Sequence, residues 1–201
     1  YAGEINSAKR SFSNATYWSS WQQDTRTVFA TLEQDLGSGW VGKLQLDHKI
    51  NGYDAQLGAI QFNQPAADGT ANINAQRYKG ETTSDAADLY VSGPYEFLGR
   101  EHDLVLGGSI STANWKGKGY WDVTFSTPNL VDYFNWDGHL AKPDWGNASQ
   151  IGDDTVRQTG MYATTRLNVT DELKVFLGGR VLAYTLTGTT NTYRETARLI
   201  P

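Results

Sequence analysis

Arg26-Thr27-Val28-Phe29-Ala30-Thr31-Leu32-Glu33-Gln34-Asp35-Leu36-Gly37-Ser38-Gly39-Trp40-Val41-Gly42-Lys43-Leu44-Gln45-Leu46-Asp47-His48-Lys49-Ile50 reads as a β-hairpin. Val28, Ala30 and Leu32 recur at alternate positions against Thr27, Phe29, Thr31, Glu33 and Asp35, the period of a strand with one apolar face. Gly37-Ser38-Gly39 supplies residues suited to a tight turn. Beyond it Trp40, Gly42, Leu44, Leu46, His48 and Ile50 alternate with Lys43, Gln45, Asp47 and Lys49. Each apolar stripe lasts about ten residues, the length with which a tilted strand crosses a bilayer.

The same pattern continues along the chain. Ala87, Leu89, Val91, Gly93, Tyr95 and Phe97 oppose Asp88, Tyr90, Ser92 and Glu96, and Leu104, Leu106, Gly108 and Ile110 oppose Asp103, Val105, Gly107 and Ser109. Met161, Ala163, Leu167 and Val169 oppose Tyr162, Thr164, Arg166 and Asn168; Val175, Leu177, Gly179, Val181 and Ala183 oppose Lys174, Phe176, Gly178, Arg180 and Tyr184. Period-two counting thus predicts six strands in three hairpins, near residues 26–36, 40–60, 77–98, 102–121, 155–169 and 173–190. Tight turns join them at Gly37-Ser38-Gly39, Leu98-Gly99 and Thr170-Asp171-Glu172, whereas long loops lie near 61–76 and 122–154. Pro94 belongs near a rim, where no ladder hydrogen bond is required.

Short turns at one end, long loops at the other and an alternating outward face are the layout of a transmembrane β-barrel. The fold class expected is therefore all-β, an antiparallel up-and-down barrel segment occupying 1–201. A soluble β-sandwich that binds carbohydrate through loop tryptophans is the alternative. It is disfavoured because its outer faces tolerate few contiguous large apolar residues. The mean hydropathy of −0.52 does not oppose a barrel, since only every second strand residue meets lipid. The 21 glycines, 7 tryptophans and 11 tyrosines suit an aromatic-rich β-protein, and the absence of cysteine excludes disulfides and thiolate chemistry. With 17 basic and 22 acidic residues dispersed along the chain, a nucleic-acid face is not expected. The first residues lack the charged and apolar regions of a signal peptide. Tyr193-Arg194-Glu195-Thr196-Ala197-Arg198-Leu199-Ile200-Pro201 reads as the approach to a further strand, which suggests an internal piece of a larger protein.

Catalysis finds little support, and no enzyme is expected. There is no Gly-x-Ser-x-Gly, His-Glu-x-x-His or phosphate-binding loop. His48, His102 and His139 are dispersed without ligand spacing; His48, on the apolar stripe close to an interface, and His102, in a tight turn, read as structural. Asp85 and Asp153-Asp154 lack the spacing of a Ca²⁺ loop. The repeated Leu106-Gly107-Gly108 and Leu177-Gly178-Gly179 have no following helix to make a phosphate cradle; the glycines relieve crowding or make room for a ring. Trp40, Tyr95 and Phe97 lie beside tight turns, where an interfacial aromatic girdle belongs. Trp18, Trp21, Trp115, Tyr120, Trp121 and Trp136 lie in or beside the long-loop ends. With Arg77, Lys79, Lys116 and Lys118 nearby, they are the candidate ligand-binding residues for a flat, anionic chelate.

Several stretches resemble the barrel of TonB-dependent ferric-siderophore receptors, in wording closest to their ferripyoverdine-receptor branch. They are Arg26–Leu36, Leu46–Gln56, Ser84–Tyr95, Arg100–Gly108, Gln158–Ala163 and Leu173–Arg180, within a likeness covering most of 20–190. The resemblance implies an outer-membrane barrel of about 22 strands around a plug. It implies capture of a ferric siderophore at the extracellular face and import with energy from TonB. Iron would travel as a ferric-siderophore chelate, with no protein metal ligands and no nucleic-acid partner. Outer-membrane lipid would surround the strands. No plug sequence or TonB box is read in this segment, so coupling to TonB is expected to pass through a plug region lying elsewhere.

Overall fold

Alternation carries through into pairing. In the computed structural model, which describes residues 11–61, 66, 68–122, 130–189 and 192–199, the strands are β1 (Ser20–Gly37), β2 (Trp40–Ile60), β3 (Thr70–Phe97), β4 (Arg100–Asp122), β5 (Leu130–Asp132), β6 (Trp145–Asn168), β7 (Lys174–Thr187) and β8 (Thr192–Leu199). They form one sheet in the order β1-β2-β3-β4-β6-β7-β8, with β5 paired to β3. Apart from β5, strands consecutive in sequence are neighbours in space, as in an up-and-down meander. No second sheet faces it among the described residues, so nothing here builds a sandwich.

The strands run beyond their apolar stripes. β1 begins at Ser20, β3 at Thr70 and β6 at Trp145, and β5 sits inside a stretch expected to be loop. In the β3 extension the alternation turns inward, with Ala71, Ile73 and Ala75 buried against exposed Asn72 and Asn74, and it is too short to give an outward apolar stripe. Cross-strand bonds maintain the extensions, such as Gln61 N–H to Asn72 O at 2.8 Å, and such bonds leave no signature in hydropathy. The further strand anticipated near Tyr193 is β8, antiparallel to β7 with Thr187 opposite Thr192. Within the expected loops, residues 62–65, 67 and 123–129 lie outside the described residues.

The tight ends follow turn chemistry. Ser38 and Gly39 have φ of 53° and 81°, Leu98 and Gly99 of 52° and 73°. Both pairs are therefore two-residue turns with positive φ at each centre, whose twist matches that of the flanking strands. At the third end the Thr170 hydroxyl accepts the Leu173 N–H at 2.9 Å and the Glu172 N–H at 3.2 Å. Arg100 reaches Asp171 at 2.9 Å between neighbouring turns. Pro94 lies within β3 against Gly39, where an added Cβ would stand 3.0 Å from the proline ring.

The chain divides into two compact units: Tyr1–Gln23, Tyr53–Lys79 and Lys118–Gln150 form the first, Asp24–Gly52, Gly80–Gly117 and Ile151–Pro201 the second. The first has a small apolar core of Ile60, Ala71 and Ile73, covered by Val131, Tyr133, Trp136 and Leu140. The second holds the apolar stripes, and they face outward: Val28, Leu89 and Met161 are 70%, 59% and 74% exposed. An apolar face left bare over this many strands belongs in lipid.

The opposite face of the second unit is a polar network. Tyr162 donates to Asp88 at 2.9 Å and Arg180 to Ser109 at 3.2 Å. Lys43 lies 3.6 Å from Glu33, and Arg166 pairs with Asp103. Gly107 leaves the space that the Tyr162 ring fills; on the apolar side, Gly93 leaves that of Trp40. The glycine repeat therefore makes room for a ring at Gly107, as the spacing suggested.

Candidate functional site

In the first unit the candidate aromatics form pairs. Trp21 stacks on Tyr53 with centroids 6.0 Å apart and planes at 25°, and it remains 59% exposed. Trp18 meets Trp145 edge-on at 6.1 Å, and its indole N–H donates to Leu140 O at 3.0 Å. Trp136 packs against the Ile60 core, where its buried indole N–H finds no acceptor among the described residues. Tyr120 lies under the Arg77 guanidinium, 5.1 Å from ring centroid to Cζ. Trp121 belongs to β4, but its side chain lies outside the described residues.

Arg77 is already engaged. Its Nε and a terminal nitrogen donate to the two Asp54 oxygens at 3.0 and 2.6 Å, a bidentate fork over a half-buried pair. Those hydrogen bonds hold the Asp54 carboxyl below its ordinary 3.8, against the opposing effect of partial burial, and the charges of Arg77, Lys79 and Lys142 act in the same direction. A carboxyl depressed in the folded state contributes stability above its unfolded value. That contribution disappears as pH falls through the folded value. The stability difference between Asp54→Asn and the parent receptor is therefore expected to be present at pH 7 and to shrink below about pH 4. Thermal unfolding of the full-length receptor at stepped pH checks this; a difference constant down to pH 3 would refute the coupling.

Successive residues of a strand point to opposite sides. Tyr53 and Asp54 therefore divide this unit's aromatic groups, with the Trp21 stack on one side of β2 and the Arg77–Tyr120 pair on the other. The turn at residues 132–135 is held by Asp132, which accepts the Phe134 and Asn135 N–H groups at 2.9 and 3.3 Å.

Trp115 belongs to the second unit. Its ring lies across Gly117 and Gly152, so that a side chain at either glycine would enter the indole. Counting by twos from Gly107 and Ser109 puts it on the polar face. On the other side of β4, Asn114 donates to Asp153 at 3.0 Å and to Thr155 at 2.9 Å, and Lys116 lies 4.0 Å from Asp153. Of the four cations expected near the site, Arg77 is held by the Asp54 carboxylate and Lys116 lies near that of Asp153, and Lys79, Lys116 and Lys118 are all exposed. Tyr53, Asp54, Gly117 and Gly152 escaped sequence reasoning, because their parts depend on cross-strand register that no local motif records.

No family model matches the chain. It is 55% identical over 199 residues to the ferripyoverdine receptor of Pseudomonas aeruginosa, covering 99% of this chain and 24% of that protein. It is 36% identical over 189 residues to the ferric-pyoverdine BN7/BN8 receptor of Pseudomonas putida, covering 90% of this chain and 23% of the relative. It superposes on the crystal structure of the ferripyoverdine receptor of the P. aeruginosa outer membrane, bound to ferripyoverdine, with a TM-score of 0.88 at 55% identity, over 98% of this chain and 26% of that one. The fold is that receptor's strand wall, and the resemblance seen in the strand sequences holds over nearly their whole length. The chain is thus homologous to one stretch of the ferripyoverdine receptors and spans about a quarter of the curated relatives it matches.

Proposed function

We propose that the chain is part of the barrel of an outer-membrane receptor that binds a ferric siderophore at its extracellular face and imports it with energy from TonB. The observation that carries this reading is the exposed Trp21–Tyr53 stack, set in strands that match the ferripyoverdine receptors. A flat, partly aromatic chelate gains stacking area on such a plate. Trp115, cradled by Gly117 and Gly152, offers a second rigid indole on the polar face of its own unit. Trp18, Tyr120, Trp121 and Trp136 complete the proposed set, with Trp18 and Trp136 also supporting their unit's packing. Iron remains in the chelate, TonB acts through a plug region, and the chain carries out no chemical step.

The test uses the full-length receptor with ferripyoverdine as the probe. Trp21→Ala and Trp115→Ala are each expected to weaken binding about tenfold, the worth of an aromatic contact of ~1.4 kcal/mol. Each should also remove part of the tryptophan quenching that accompanies binding. Binding and uptake unchanged in both variants would remove these residues from the site.

A further inference from the structure

Around Trp115 the two sides of the sheet carry opposite charge. Asn114 donates to the Thr155 hydroxyl at 2.9 Å and to the Asp153 carboxylate at 3.0 Å, and Lys116 lies 4.0 Å from Asp153. Those side chains share the side that Trp115 turns away from. Asn114 thus stands opposite Thr155 between β4 and β6, and one step along each strand sets Trp115 opposite Asp154, both on the polar face. The same register recurs further along, where Gly107 makes room for Tyr162 and Arg166 pairs with Asp103.

Lys116, expected to draw an anionic chelate to Trp115, is therefore on the opposite side of the sheet. The charge beside the indole is negative. On β3, the turn at Leu98-Gly99 and the Tyr95–His102 ring contact set a register that brings Thr82 opposite Trp115. Apart from glycines, the polar-face residues around Trp115 on its own and the two adjoining strands are then Thr82, Ser84, Ala113, Asp154 and Val156. Only Asp154 ionises. The nearest lysine on that face, Lys49 of β2, is three strand spacings from Asp154, about 14 Å. Among the described residues nothing pairs with the Asp154 carboxylate; the Asn114 amide reaches its backbone carbonyl instead, at 3.4 Å.

The indole is held beside this carboxylate. A Cβ on Gly117 would stand 2.5 Å from its Cζ2, and one on Gly152 would stand 2.2 Å from its Cζ3. The ring is therefore seated on bare backbone of two strands, one face against the wall and the other turned away from it. Asp154 follows Gly152 by two residues, about 7 Å along β6 and on the same side. A cation resting on the free face is attracted by the ring within about 6 Å of its centre and by the neighbouring carboxylate. An anion there is repelled by both.

We infer that Trp115 and Asp154 form a subsite for a cationic group of the ligand, an ammonium or guanidinium lying outside its iron-binding groups. A guanidinium suits it best, because one plane can stack on the indole while its edge bonds the carboxylate. Gly117 and Gly152 are positioning residues that keep the ring flat. The subsite rests on the proposed siderophore reading and narrows it: the ligand presents a positive arm to this wall.

Isothermal titration of the full-length receptor in detergent, with ferripyoverdine as the probe, tests this. At low salt Asp154→Asn is expected to weaken binding about tenfold and Asp154→Lys about a hundredfold, and both losses should shrink at about 1 M salt. Asp153→Asn, one residue along and on the other side of the strand, is expected to bind as the parent does. Binding by Asp154→Asn within about twofold of the parent, or tighter binding by Asp154→Lys, would overturn the subsite. If that unchanged Asp154→Asn receptor also unfolds at a lower temperature without ligand, the carboxylate serves the packing of the receptor instead. Loss of binding in Trp115→Ala with none in Asp154→Asn would overturn the cationic subsite alone. Unchanged binding in both would remove this wall from the siderophore site.

Discussion

Gly107→Ala is expected to destabilise the folded receptor by about 3–5 kcal/mol, while Gly108→Ala, one residue along the same strand, is expected to be neutral or slightly stabilising. The added methyl at residue 107 would fall inside the Tyr162 ring. Tyr162 cannot simply swing aside, because its hydroxyl donates to Asp88 at 2.9 Å and Arg180 stands directly opposite it in the β6–β7 register. Arg180 is itself tied to Ser109 at 3.2 Å over the open backbone of Gly160. Relief of the clash must break the bond to the carboxylate or push β4 away from β6. At Gly108 a methyl meets only a backbone oxygen at 3.4 Å, and losing a strand glycine recovers about 0.5–1 kcal/mol of backbone entropy. The paired measurement is thermal unfolding of the two variants in detergent. Equal effects at both positions would show that the ring does not depend on the gap.

His102→Leu is expected to cost about 2–4 kcal/mol although it preserves apolar volume. His102 is 5% exposed and lies beside Tyr95 and Phe97, at centroid distances of 5.3 and 6.2 Å. Its Nε2–H donates to Phe97 O at 3.0 Å, and its Nδ1 accepts the Asn168 N–H at 3.0 Å. Those two bonds select the neutral Nε2–H tautomer. They join the end of β3 to β6 across β4, at the level where the aromatic girdle leaves little water to replace them. Leucine leaves one N–H and one carbonyl unpaired near lipid. Glutamine can both donate and accept, so His102→Gln should recover part of the loss. A leucine variant within 0.5 kcal/mol of the parent would make the ring merely space-filling.

Both results depend on which residues were legible along the chain. Alternation exposed the strands because lipid on one side and a polar interior on the other impose a period of two on every stripe, from Val28 to Val181. Turn residues such as Ser38-Gly39 and Leu98-Gly99 marked the short ends because positive φ restricts the choice of side chain. The sequence places His102 in a tight turn as a structural residue; the fold sets it inside β4 instead, where its two hydrogen bonds supply the structural reason. The aromatic residues of the proposed site were visible as a class. Their grouping was not: Trp21 joins Tyr53, Trp18 joins Trp145, Trp136 enters a local core, and Trp115 lies over two glycines.

Residue order was therefore enough to establish an antiparallel membrane-face sheet with tight turns at one end, and the strand wording was enough to indicate its relatives. These properties arise from forces acting on each residue locally: hydration, backbone strain and the pleat. The Arg77–Asp54–Tyr120 assembly and the Tyr162 network required the fold itself. Each joins residues from separate strands, and the register that brings them together is summed over whole ladders of bonds rather than encoded at any single position.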